Sequence, residues 1–148
     1  MAGRKMVYKG SNDGSSPIYR KVPVNTSQTI VKGSIVVKSS GKASVAADAA
    51  SAGTVWGIAA EDYTTGGSVT AADVVLIDVN PNSIYEMPHN TTGTKTSLTN
   101  EDIGKTFDLV NAYTADLDDT TGGFVECVGF SSERRTIFAQ IKGRVQDV

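Results

Sequence analysis

Very few side chains in this 148-residue sequence could perform chemistry, and their spacing limits what that chemistry could be. His89 is the single histidine and Cys127 the single cysteine. A Ser-His-Asp or Cys-His site needs a base within reach of an activated nucleophile. No G-x-S-x-G turn accompanies His89, which follows Pro88 in a polar stretch and reads as a loop residue. Asp116, Asp118 and Asp119 could suggest a calcium loop, but Thr120 and Thr121 stand where an EF-hand places an acid and a glycine. The trio reads as a solvated turn. Glu61-Asp62 could serve general acid–base work if buried. The simpler reading is a strand end whose carboxylates accept from backbone amides. Cys127 lies in an apolar strand pattern and reads as a small core residue; a lone thiol excludes an internal disulfide. No Gly-rich tract lies between a strand and a helix, so no phosphate cradle is expected. This inventory points to no enzyme, no metal and no cofactor.

The elements that would position these groups are strands. Fifteen glycines, abundant Thr, Ser and Val, and few Leu or Met favour short strands and turns over helices, so the expected class is all-β. Val55-Trp56-Gly57-Ile58-Ala59 is the central strand, and Gly57 within it signals a bulge or a close backbone approach. A polar loop from Glu61 to Asp73 leads to the strand Val74–Val79. The same grammar returns seventy-two positions later as Cys127-Val128-Gly129-Phe130, a short polar loop, and Thr136–Val145. At that offset Ile35 falls on Phe107, Val37 on Leu109 and Gly57 on Gly129. Ile84-Tyr85-Glu86-Met87-Pro88 also echoes the first strand, Ile18 to Val24. The reading is one domain over 18–148, built from two pseudo-repeated β units at 18–79 and 84–145. Further strands are expected at Gly33–Lys38 and Phe124–Phe130, with Ser39 to Lys42 as a turn. One helical turn should start at Thr99 or Asn100, whose cap position precedes Glu101 and Asp102. Trp56, Ile58, Val75, Ile77, Phe107, Leu109, Phe130, Ile137 and Ile141 are the expected core.

Charge is unevenly placed. Met1–Lys21 carries Arg4, Lys5, Lys9, Arg20 and Lys21 against Asp13 alone, a net of +4, while the rest holds nine bases and fifteen acids, a net of −6. Residues 1–17 read as a flexible basic arm, since Gly10 to Ser16 offers almost nothing to bury. Five dispersed bases on an acidic body are a poor nucleic-acid footprint, so no nucleic acid is expected. No run of eighteen apolar residues exists to span a membrane, and the polar first twenty residues offer no signal peptide. The arm is studded with Met6, Val7, Tyr8, Ile18 and Tyr19, which suits docking on a neighbour. Arg4, Lys5, Met6, Val7, Tyr8, Lys9, Tyr19 and Arg20 are therefore the expected contact residues. Val74 and Leu76 make the second face of their strand apolar as well, where a solvated sheet would alternate cleanly. They are the expected subunit interface.

Ile35-Val36-Val37, the small-residue hairpin, Val55 to Asp62, Val74 to Val79 and Ile84 to Pro88 together resemble capsid decoration (cement) proteins of tailed bacteriophages. Asp102-Ile103-Gly104-Lys105-Thr106-Phe107-Asp108-Leu109 is similar to the later part of that family, and the resemblance runs from about Ile18 to Val145. It implies a small β-barrel-like domain, a homo-oligomer with the trimer favoured, and a place on the exterior of the virion. There the chain would brace major capsid subunits, with no small-molecule substrate. The rival reading is a carbohydrate- or receptor-binding module of a phage tail or fibre.

Overall fold

A computed structural model describes residues 5–47 and 54–142; Arg4 therefore lies outside the described residues. The chain is all-β, as its composition indicates. Among the described residues thirteen strands run in order: β1 Val7–Ser11, β2 Tyr19–Pro23, β3 Thr29–Ile30, β4 Ile35–Ser39, β5 Lys42–Val45, β6 Val55–Ala59, β7 Tyr63–Thr64, β8 Val74–Asp78, β9 Ser83–Pro88, β10 Thr106–Asn111, β11 Thr114–Asp116, β12 Val125–Ser131 and β13 Thr136–Ile141. A 3-10 turn, Asn100–Asp102, is capped by Thr99 in a capping box with Asp102.

The strands form a five-stranded sheet in the order β2-β8-β6-β4-β5, a six-stranded sheet in the order β1-β9-β13-β12-β10-β11, and a small β3-β7 pair. With β1 set aside, both larger sheets follow the same rule. Taking each half's five strands in chain order, the first is followed in space by the fifth, the fourth, the second and the third. Both sheets also bend until their outer strands touch at one parallel bridge: Val24 with Ala43, and His89 with Ala115. The residue after each bridge donates its amide to the same alanine, Asn25 N to Ala43 O at 2.9 Å and Asn90 N to Ala115 O at 3.0 Å. These contacts are single pairs rather than ladders, so the sheets pack in a sandwich-like way without a continuous closed barrel.

The fixed seventy-two-residue offset does not survive at the level of register. Ile35 lies across from Ile58, but Phe107 lies across from Val125, and Phe130 pairs instead with Ile137. Gly57 and Gly129 occupy strands of matching position yet serve different bulges. The irregularity at Gly57 lies between β4 and β6; that at Gly129 lies between β12 and β13. Gly57 also permits close approach, because a Cβ there would sit 2.5 Å from the Asp78 carbonyl oxygen.

Two hydrophobic clusters explain why β6 organises the chain. Trp56, Ala59, Val36, Val75, Ile77, Val22, Val24 and Ile30 fill the bend of the first sheet. Ile35, Val55 and Ile58 turn the other way, into a larger cluster with Phe107, Leu109, Phe124, Val125, Ile137 and Ile141. All five residues of β6 are buried, so the strand is a wall shared by two cores. Burial on both faces is complete along β6, the middle strand of its sheet, and holds at Ile35 and Val36 of β4. On β8, Val75 and Ile77 are buried, while Val74 and Leu76 are half-buried. The expected core is otherwise found, except that Phe130 is only half-buried at the rim of the larger cluster.

The free basic arm is the main correction. Val7–Ser11 is a strand hydrogen-bonded antiparallel to β9 of the same chain, and Met6 is buried in the larger cluster. Met6 N donates to Gly33 O at 2.8 Å, and a Cβ on Gly33 would lie 2.5 Å from the Met6 carbonyl oxygen. The polar tract beyond is tied down by side chains. Asn82 Nδ2 donates to Asp13 Oδ2 at 2.9 Å, and Asn80 Nδ2 donates to Ser15 Oγ and Ser16 O, each at 2.8 Å. Composition signalled that this tract buries little; it could not signal that asparagines near residue 80 would bind it.

Candidate functional site

The groups with chemical potential are occupied structurally. Glu61 Oε2 accepts from Leu76 N at 2.9 Å and Asp62 Oδ1 from Lys32 N at 2.7 Å, as expected of a strand-ending acid pair. Asp118 Oδ1 accepts from Lys95 N at 2.7 Å, while Asp116 and Asp119 accept amides of their own turn. Among the described residues no cluster of His, Cys, Asp or Glu is arranged to hold a metal. Cys127 is fully buried, and that burial pushes its thiol pKa up, away from reactivity.

What the fold does assemble is a groove of about 690 Å³ between the edge strand β1 and the strands β2 and β8. Lys5, Val7 and Tyr8 form one wall, Tyr19, Ala60 and Leu76 the other, and Tyr85 lies between them. Val7 and Tyr19 are each more than half exposed, at 54% and 55%, and both lie in this one groove, where contiguous exposed apolar surface marks an interaction site. Tyr8 stacks edge-on against Tyr85 with ring centroids 5.6 Å apart, and Tyr85 Oη donates to Asp78 Oδ2 at 2.7 Å. That hydrogen bond ties the floor to the buried end of β8 in the other sheet. The groove's lining includes Lys5 and Lys32 but no carboxylate.

A smaller cleft adjoins it, lined by Lys5, Val7, Lys9, Glu86 and Arg134. Arg134 Nε donates to Glu86 Oε2 at 2.6 Å, Thr136 Oγ1 donates to the same oxygen at 2.5 Å, and Lys9 Nζ lies 3.2 Å from Oε1. Burial opposes the charge on Glu86, but the hydrogen bonds from Arg134, Thr136 and Lys9 outweigh it and hold the pKa at about 2. Two cations, Lys9 and Arg134, therefore hold one carboxylate, and the surface beside the groove stays positive. Asp102 repeats this arrangement under the 3-10 turn. Burial works against it, while the Thr99 amide, Lys95 and Lys105 bring it to about 2.

Both carboxylates have pKa values depressed by folding, so each contributes stability that is complete above its unfolded value. That contribution is lost as pH falls from 4.5 for Glu86, or 3.8 for Asp102, toward about 2. Thermal melts through this range should show a steep acid limb that Glu86→Gln and Asp102→Asn each flatten. Variants with the parental pH dependence would show that the pairs do not carry it.

Of the residues expected to make contacts, the structure gathers Lys5, Met6, Val7, Tyr8, Tyr19 and Leu76 around the groove and places Lys9 in the adjoining cleft. Arg20 is exposed on the opposite face of β2, in register with Ile77, and Val74 lies outside the groove. Sequence reasoning missed Lys32, Tyr85, Glu86 and Arg134, which reach the site only through sheet pairing. Comparison with family models, with curated proteins and with solved structures gives no match to this chain.

Proposed function

We propose that the chain is a structural virion protein that binds the outer surface of a tailed-phage capsid and braces major capsid subunits, acting as an oligomer, with a trimer favoured. The observation that carries this reading is the groove. It joins three tyrosines, exposed aliphatic surface and a cationic rim on a body with no assembled catalytic constellation among its described residues. Aromatic side chains that are already packed supply contact area at little entropic cost, and lysines at the rim steer acidic partners. The edge of β1 is blunted by a register shift between Tyr8 and Gly10 and by Lys9, so docking would proceed through side chains rather than by strand addition. Repetition over a lattice would make modest single contacts sufficient. The shared strand order and the matching bridges support an internal duplication as the origin of the two halves. The rival module reading loses its strongest feature, because Trp56 is packed inside the smaller cluster and cannot stack on a sugar.

The test is binding to expanded heads lacking the protein, across salt concentrations. Tyr19→Ala should weaken binding by about 2 kcal/mol, roughly thirtyfold. Lys32→Glu should remove most of the salt sensitivity along with affinity. Unchanged affinity in both variants, or binding indifferent to salt, would remove the groove from the contact.

A further inference from the structure

A second cleft, of about 270 Å³, lies away from the groove at the other end of β9. His89, Thr136 and Leu98 are its buried residues, and Phe130 flanks it. Thr91, Thr96, Ser97, Ser131 and Ser132 supply hydroxyls, Arg135 supplies a charge, and no carboxylate lines the cleft. Arg135 has no ion pair or hydrogen bond among the described residues, nor do the hydroxyls of Thr91, Thr96, Ser97 and Ser132. Its neighbour Arg134 is spent on Glu86. Arg135 is held at φ 54°, a left-handed conformation rare for a branched or bulky side chain, within the β12–β13 turn.

His89 adds a complementary group. Its Nδ1 lies 2.8 Å from the Asn90 carbonyl oxygen, which can only accept, so Nδ1 carries the proton. Burial, reinforced by the positive charge of Arg135, lowers the His89 pKa despite that carbonyl, and the ring is neutral at pH 7. Its other nitrogen is then an acceptor. A cleft with a cation, an imidazole acceptor, several uncommitted hydroxyls and an apolar flank matches a ligand bearing both an oxyanion and hydroxyl groups.

We propose that this cleft binds a monosaccharide-sized anion, one phosphate or carboxylate carried on a polyhydroxylated body. Arg135 would pair with the oxyanion, His89 would accept from a ligand hydroxyl, and Phe130 with Leu98 would cover the ring's apolar face. The residue inventory gave no reason to expect a small-molecule site, because the lining comes from three segments that meet only in the fold. The inference does not depend on capsid binding.

The experiment is an amide-resolved NMR titration of the full chain with glucose 6-phosphate, glucuronate, glucose and inorganic phosphate. Saturable shifts confined to residues 89–98 and 130–136 are expected with at least one of the two sugar anions, which also distinguishes phosphate from carboxylate. Glucose and inorganic phosphate should each bind at least about tenfold more weakly, since each lacks half of the recognised chemistry. Arg135→Asn, which suits the left-handed backbone, should cost a similar factor while leaving distant resonances in place; Ser97→Ala should cost less. No saturable shift at millimolar ligand, parental affinity in Arg135→Asn, or inorganic phosphate binding as tightly as either sugar anion would overturn the proposal.

Discussion

Phe107→Ala is expected to lower the unfolding free energy by about 3–5 kcal/mol, a large share of the stability of a domain this size. Phe107 is 1% exposed on β10, across from Val125 and inside the larger cluster. Its ring is among the largest fully buried side chains, so truncation removes much apolar volume at once. Whatever part of that volume stays unfilled adds a cavity cost to the lost transfer free energy. Phe130→Ala should cost well under half as much, because that ring is half-buried and borders the His89 cleft. Urea unfolding with an unchanged m-value provides the measurement. Equal costs for the two rings, or a Phe107 cost below about 1 kcal/mol, would show that the larger cluster is not packed as described.

The second large effect concerns the N-terminal segment. Deleting residues 1–11 should destabilise the domain and promote self-association, rather than merely weaken attachment to a neighbour. The deletion withdraws Met6 from the core, and the loss of a buried methionine side chain costs about 2–5 kcal/mol. It also uncovers the outer edge of β9, leaving unpaired backbone groups of the kind that template edge-to-edge pairing. Lys9 leaves Glu86 and Tyr8 leaves Tyr85 in the same step. Light scattering and a thermal melt of the truncated chain test both parts, and Met6→Ala isolates the core term. A truncated chain with the parental melting temperature and mass would show that β1 contributes nothing to the fold. Because truncation is expected to perturb the fold, surface substitutions at Tyr19 and Lys32 are the sound probes of the proposed capsid binding.

The fate of the arm shows where sequence reasoning stopped. Residues 1–17 are basic and polar, and local composition favours solvation. Their partners, β9 and the asparagines at 80 and 82, lie some seventy residues away, and pairing across that distance leaves no local mark. The same limit hid Arg134 and Glu86 from the contact surface, although both are plain in the sequence as single charges.

Local chemistry, by contrast, was legible wherever one residue's conformational or solvation preference fixed the outcome. Glycines, β-branched residues and turn dipeptides determined the all-β class and most strand positions; Ser40-Gly41, at φ 52° and 77°, makes the β4–β5 turn. The periodicity of Phe107 and Leu109 determined a core face, and the acids at 101 and 102 determined a capped turn. Gly57 announced a close approach, and β6 was identified as central from its unbroken apolar run. Only the tertiary structure decided the register within each sheet, the two-sided burial of β6, the docking of β1, and the assembly of the groove and the His89 cleft. The physical reason is range. Propensity and periodicity act over a few residues, whereas register and surface clefts are set by which distant strands share hydrogen bonds, and similar strands can satisfy the same local rules in several pairings.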